Sequence, residues 1–143
     1  MAADFNSIET QFESIEEEKN YYQNIISDDD ENNLNDPSVF TGALRKLASI
    51  ARQESDTLLA WEYLQKVLNI DEKNDGAESP IVATDLNDLA SVFQELGDMG
   101  GAREHYEKAL KVAEIVHGEE SAVVVTILNN LGGVMQELGH TKA

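Results

Sequence analysis

Three basic side chains lie close together in an otherwise acidic chain. Arg45, Lys46 and Arg52 are three of ten basic residues, whereas the 143-residue sequence carries a net charge of −18. At helical spacing they share one face, where their charged groups would hold an acidic side chain or a C-terminal carboxylate by charge-assisted hydrogen bonds. The competing interpretation is that the three cations pair with Asp and Glu of neighbouring helices, as surface charges commonly do.

Other residue types that bind metals or catalyse reactions lack the required spacing. His105, His117 and His140 do not form the close helical pair of a metal site, and His117 suits the end of a helix. The chain has no cysteine. It also has no Gly-rich phosphate loop and no serine with a His–Asp partner set. The sequence therefore predicts no catalytic residue, no metal site, no cofactor and no enzymatic activity.

Two acidic stretches resemble calcium-binding loops only in part. In residues 71–82, Val82 stands where a bidentate Glu is required. In the stretch that begins at Ser27, Asn33 replaces the turn glycine and Val39 the closing acid. Both are interpreted as solvated loops, with weak calcium binding at Asp28 and Asp30 left as an alternative.

The acidic balance limits the classes of partner. Residues 1–40 hold eleven acidic side chains against Lys19 alone. Such a surface repels phosphate backbones and anionic lipid headgroups, so we expect neither nucleic-acid binding nor direct membrane binding. No apolar run is long enough to span a bilayer, and the first residues lack the features of a secretory signal. These observations favour a cytoplasmic protein whose acidity keeps it soluble or attracts basic partners.

One segment recurs at a spacing of 42 residues. The sequence LNDLASVFQELGD from Leu86 returns as LNNLGGVMQELGH from Leu128, and a weaker copy begins at Leu44. Its apolar residues follow helical spacing and end at Gly97, which suits a left-handed helix cap. A second stripe carries Ala102 and Ala109, whose small side chains let two antiparallel helices approach closely. Ungapped repetition at this period is typical of stacked helical hairpins.

The period divides the chain into two regions. Residues 38–143 form an array with repeats 38–79 and 80–121 and a partial repeat 122–143. Residues 1–37 keep the apolar stripe but lose its glycine, so they are either a degenerate first repeat or a capping helix, followed by an acidic loop. Ser14 and Glu17 are spaced for a capping box that starts a second helix, which favours two helices.

This pattern resembles the tetratricopeptide repeat, in the long form found in kinesin light chains. The residues that carry the resemblance are Leu86, Leu89, Ala90, Phe93, Gly97, Ala102, Tyr106 and Ala109. The resemblance implies an all-α, right-handed superhelical solenoid of antiparallel helix pairs. It also implies that the first helix of each pair lines a concave groove.

The resemblance places the binding positions on first-helix residues outside the packing stripe. The proposed binding residues are Arg45, Lys46, Ser49, Arg52, Asn87, Asp88, Ser91, Gln94, Asn129, Asn130 and Gln136. Glu95, Gly133 and Glu137 lie on the same side of these helices. Side-chain amides both donate and accept hydrogen bonds, which suits the main chain of an extended peptide. The full carboxylate clamp of chaperone-binding members is absent, because the basic and amide positions lie on different repeats.

The predicted function is that of a non-enzymatic scaffold that holds a protein or peptide segment in the groove. The alternative is a structural subunit of a larger complex, held through its outer face and its C-terminal helix. The partial repeat 122–143 has a first helix but no second helix to pack on it. We therefore expect part of its apolar face to be uncovered, namely Leu128, Leu131, Val134 and Leu138. This end is interpreted as the break point of a longer array, with docking or self-association as the alternative.

Overall fold

The computed structural model describes residues 12–28 and 36–141, and in this part of the chain every regular element is an α-helix. The all-α prediction is therefore confirmed. The helices are α1 (Ile15–Asp28), α2 (Pro37–Gln53), α3 (Thr57–Asp75), α4 (Pro80–Glu95), α5 (Met99–His117) and α6 (Ala122–Thr141).

Helix ends recur with the period of the sequence. Ser79 Oγ accepts from the Val82 amide at the start of α4, and Ser121, one period later, does the same at the start of α6. Gly76 and Gly118 end α3 and α5 with φ of 87° and 85°, a left-handed backbone that glycine adopts without steric cost. The loops are therefore repeated in geometry as well as in sequence.

Each helix packs against the next one in the chain, which gives a layered stack of antiparallel pairs. One apolar cluster runs from Ala48 in α2 to Val134 in α6. Small side chains let helices approach closely, and the fully buried alanines are Ala60, Ala83, Ala90, Ala102, Ala109 and Ala113. A lone pair of helices could not bury its apolar stripe, so each pair relies on its neighbour for a core.

The first helix of the described residues, α1, packs against α2. Tyr22, which is 1 % exposed, packs in a cluster with Ala43, Leu47 and Ile50 of α2. The Ser14 hydroxyl accepts from the Glu17 amide at 3.2 Å, as predicted, while the Glu17 carboxylate accepts from the Glu13 amide instead of that of Ser14. The choice between one and two N-terminal helices involves residues 1–11, which lie outside the described residues.

The expectation for the last helix is correct in part. Leu128 is 47 % exposed, and Leu131 and Leu138 are half-buried. Val134 is fully buried, so its predicted exposure is wrong. The reason is that α6 packs on α5, and Val134 lies with Val124 and Ile127 on the face of α6 that is buried in the common core.

The first turn of α5 contains adjacent glycines with different surroundings. A Cβ on Gly101 would lie 2.7 Å from Asp98 Oδ2 and 2.8 Å from Phe93 Cδ1, whereas the nearest such atom to a Cβ on Gly100 is 3.8 Å away. We expect Gly101→Ala to lower the free energy of unfolding by about 1–2 kcal/mol, because the helix pair must move apart or Asp98 must give up its cap.

Gly100→Ala is the matched control. It adds the same methyl group at ordinary van der Waals distance and should raise the free energy of unfolding by up to about 1 kcal/mol, since alanine favours a helix. Urea unfolding followed by circular dichroism measures both variants. Equal effects at the two positions would contradict the close packing at Gly101.

Candidate functional site

A cavity of about 460 Å³ separates α2 from α4, the first helices of successive repeats. Its lining combines charged groups with an apolar floor from α2 and α3. The lining residues are Arg45, Ala48, Ser49, Arg52, Gln53, Leu64 and Asp88. Four of the predicted binding positions thus meet at one place, and Lys46 lies half-buried on the same helix as three of them.

An arginine bridge closes one end of the cavity. Arg52 of α2 donates from Nε to the Glu95 carboxylate at 3.1 Å and from Nη2 to the Ser91 hydroxyl at 3.2 Å. Its Nη2 also contacts the Glu95 carboxylate. Because both acceptors lie on α4, this contact joins the two repeats as well as satisfying the guanidinium.

A second arginine bridge lies at the other end. Arg45 Nη2 is 2.8 Å from Asp71 Oδ2 on α3 and 2.7 Å from Asp85 Oδ1 on α4. The contact with Asp71 has hydrogen-bond geometry, whereas the one with Asp85 is an ion pair by distance alone. One side chain of α2 therefore joins α3 and the next repeat.

The carboxyl of Asp85 is the most strongly perturbed acid of this site. Its side chain is only 1 % exposed. Burial, with a hydrogen bond to the Asp71 carboxyl, raises the pKa of Asp85 to about 8, although the charge of Arg45 acts in the opposite direction. The raised pKa favours the protonated form of this buried carboxyl, because two carboxylates beside one guanidinium repel each other.

Asp88 lies on α4 between the two bridges and lines the cavity. Within the described part of the chain, neither a hydrogen bond nor an ion pair engages its carboxylate. Burial raises the pKa of Asp88, and the more distant charges of Arg45 and Arg52 lower it. It is therefore a partly desolvated carboxylate that faces open space.

The predicted amide positions are arranged differently from the basic ones. Asn130 of α6 donates from Nδ2 to Asn87 Oδ1 of α4 at 3.3 Å, which joins the first helices of the second and third repeats. Gln94 accepts from the Tyr106 hydroxyl at 2.9 Å, so its carbonyl is engaged by α5. Asn129 and Gln136 are exposed on α6.

The two groove arginines form the intramolecular ion pairs of the competing interpretation. Sequence reasoning missed Asp71 and Asp85, which complete the Arg45 bridge. The sequence does contain one sign that Asp85 is buried, because this acid interrupts the apolar stripe of α4 between Val82 and Leu86. An acid in such a place has to be paired or protonated.

The described residues of this site offer charged and polar contacts that suit recognition. In residues 12–28 and 36–141, no group of three or more His, Asp or Glu side chains is placed to hold a metal ion. The strongly perturbed acid, Asp85, has both carboxyl oxygens shielded from solvent, so a substrate cannot reach it. His105 contacts the Gly101 carbonyl through Nδ1 at 2.9 Å.

Comparison with known proteins decides the family. The sequence matches the tetratricopeptide repeat family over residues 40–114 and 85–143. The chain belongs to the tetratricopeptide repeat family. Membership indicates a scaffold for protein–protein interaction, and the family and the helical-repeat neighbour both point to a scaffold fold.

Among solved structures, 42 chains match this tetratricopeptide repeat chain. One is BtubC (BKLC) from P. vanneervenii, with 29 % sequence identity and a TM-score of 0.73; the match covers 86 % of this chain and 48 % of that one. This chain therefore spans about half the length of that relative. No curated protein sequence matches it. None of the described helices is long and apolar enough to cross a membrane.

Proposed function

We propose that this tetratricopeptide repeat chain is a non-enzymatic scaffold that holds a partner segment in the groove between first helices. The observation that carries the proposal is the cavity between α2 and α4, which has polar side chains at its mouth and Ala48 and Leu64 below. A concave site with a few convergent polar groups over an apolar floor is the usual form of a binding pocket. Residues 38–143 supply the binding array in this proposal, and residues 1–37 cap it.

The amide residues extend this surface toward the C-terminal end. Asn129 and Gln136 are exposed on α6 and lie free to meet the main chain of an extended segment. Net charge supports the choice of partner, because −18 disfavours nucleic acid and anionic membranes. The partner is therefore a protein or peptide, and the proposed location is the cytoplasm.

A second candidate function rests on the exposed apolar residues of α6. Val125, Leu128 and Met135 are 50 %, 47 % and 43 % exposed. In a permanent subunit of a larger complex, another protein or a second copy would cover this face. Static light scattering separates the two functions, since a monomer whose mass is independent of concentration argues against self-pairing.

Peptide selection tests the proposal. A phage-displayed library of peptides from disordered protein regions would be selected on the folded chain, and the dissociation constants of selected peptides would be measured by calorimetry. Ser49→Tyr places a ring in the cavity from an exposed position of α2. We expect it to weaken binding at least about tenfold, because the peptide loses its principal contact area.

Asn69→Tyr is the matched control. Asn69 is exposed on the second helix α3, beside a separate depression between α3 and α5. The variant should leave the dissociation constant within about twofold of the original. If Asn69→Tyr abolishes binding and Ser49→Tyr does not, the outer face is the binding surface and the groove proposal is wrong.

A further inference from the structure

The positive charges beside the cavity are balanced by carboxylates of the chain itself. Arg45 contacts Asp71 and Asp85, and Arg52 holds Glu95. An incoming carboxylate would have to displace one of these acids and leave it unpaired in a partly desolvated place, which costs free energy. Neither arginine therefore offers a vacant site for an acidic partner.

The carboxylate of Asp88 has the opposite character. It lines the cavity, three residues after Asp85 and seven before Glu95, which are the α4 acids of the two arginine bridges. No described residue satisfies it by a hydrogen bond or an ion pair. The floor beside it is formed by Ala48 and Leu64, which are 2 % and 6 % exposed. The cavity thus combines an apolar floor with an acid that forms no hydrogen bond or ion pair with the described residues.

We propose that this cavity accepts a lysine or arginine side chain of the partner segment, with the charged head at Asp88. The aliphatic stem of such a side chain packs on Ala48 and Leu64, and its head donates to the carboxylate. The Ser49 hydroxyl on α2 offers a second acceptor at the cavity lining. The inference rests on the proposed function, because it names the chemistry of the segment held there.

Charge around the cavity supports a basic occupant. Four acids, Asp71, Asp85, Asp88 and Glu95, stand against Arg45 and Arg52. The chain as a whole, at −18, attracts basic segments from a distance and speeds their encounter.

Nuclear magnetic resonance titration of the isotopically labelled chain tests the inference. The probes are three five-residue peptides of Gly and Ala that differ only in a central Arg, Glu or Gln. We expect the Arg peptide to shift the backbone amides of Ser49, Asp88 and Ser91 more than the other two peptides do. Asp88→Asn keeps the shape of the side chain but removes its charge, and should weaken binding of the Arg peptide about tenfold.

Glu62→Gln is the control with the same change in net charge. Glu62 is exposed on α3 and does not line the cavity. It should leave the affinity within about twofold, which separates a contact at Asp88 from general attraction to an acidic protein. An unchanged pattern of the remaining amide signals shows that each variant is folded.

Three results would overturn the inference: equal affinity in Asp88→Asn, stronger shifts with the Glu peptide, or no shifts at these amides with the Arg peptide. The proposed function fails separately. If selected peptides bind in a manner sensitive to Ser49→Tyr but carry no basic residue, only the inference is wrong. If their binding is insensitive to Ser49→Tyr, the groove itself is not the binding surface.

Discussion

Ala102→Glu is expected to lower the free energy of unfolding by about 3 kcal/mol or more. Ala102 is 0 % exposed and lies near the start of α5, in the core shared with α4. A longer side chain there must push the two helices apart. Its carboxylate also enters an apolar layer without a partner of opposite charge, so it must stay protonated or draw water into the core.

The size of the effect is measured by urea unfolding at neutral pH, followed by circular dichroism. Asn69→Glu is the control, because it adds the same charge at an exposed position of a helix interior. It should change the free energy of unfolding by no more than about 0.5 kcal/mol. A similarly small effect of Ala102→Glu would contradict the close pairing of α4 and α5.

The unfolding curve of Ala102→Glu also tests whether the repeats unfold cooperatively. Because α5 packs on both α4 and α6, loosening it removes the support of the last helix as well as that of its own pair. In repeat proteins the interfaces between neighbours supply much of the stability. We therefore expect a single unfolding transition of lower midpoint, with loss of signal from α6 included.

Helix positions could be predicted from sequence because their signals are local. Gly97 has the predicted left-handed backbone, with φ of 82°, and Ser55 takes the equivalent place 42 residues earlier with φ of 62°. Ser79 and Ser121 cap their helices at matching positions. Each of these features depends on a few adjacent residues, so the repeat period is enough to find them.

The partners of the charged residues could not be predicted in the same way. Arg45 contacts Asp85 forty positions away in sequence, and Arg52 reaches Glu95 across the same repeat boundary. Such contacts depend on how the pairs stack, which a spacing within one helix does not define. The burial of Val134 was missed for a related reason, since it depends on how α6 is rotated against α5.

Contacts between repeats, which the spacing within one helix does not define, also explain why the basic residues of α2 are paired with acids in the fold. Three cations on one helix face suggest an acidic ligand when the helix is considered alone. Once α4 lies beside α2, Asp85 and Glu95 occupy the two arginines, and Asp88 is the group left without a close partner. The sign of the expected partner therefore changes with the neighbouring repeat.

Asp85→Asn is expected to remove a large part of the pH dependence of stability. Burial and the hydrogen bond to Asp71 raise the pKa of Asp85 to about 8 in the folded chain, against about 3.9 for an aspartate in an unfolded chain. Between these values the folded state binds a proton that the unfolded state has lost. The contribution of Asp85 to stability is therefore complete below about pH 4 and is lost as the pH rises to about 8.

Asparagine has nearly the shape of a protonated aspartate and does not titrate. The free energy of unfolding of Asp85→Asn, relative to that of the unsubstituted chain, should rise by on the order of 3 kcal/mol between pH 5 and pH 8. The ion pair of Arg45 with Asp71 remains in the variant. Urea unfolding at several pH values measures this difference. Glu62→Gln, at an exposed site, should follow the original curve.

A parallel loss of stability in Asp85→Asn and in the original chain would contradict this assignment. It would mean that Asp85 is ionised throughout and forms an ordinary ion pair with Arg45. That result would also change the electrostatics of the cavity, because two full negative charges would then face one guanidinium. A direct carbon-13 titration of the Asp85 carboxyl separates the cases, since a pKa near 8 requires the proton to remain on this acid at neutral pH.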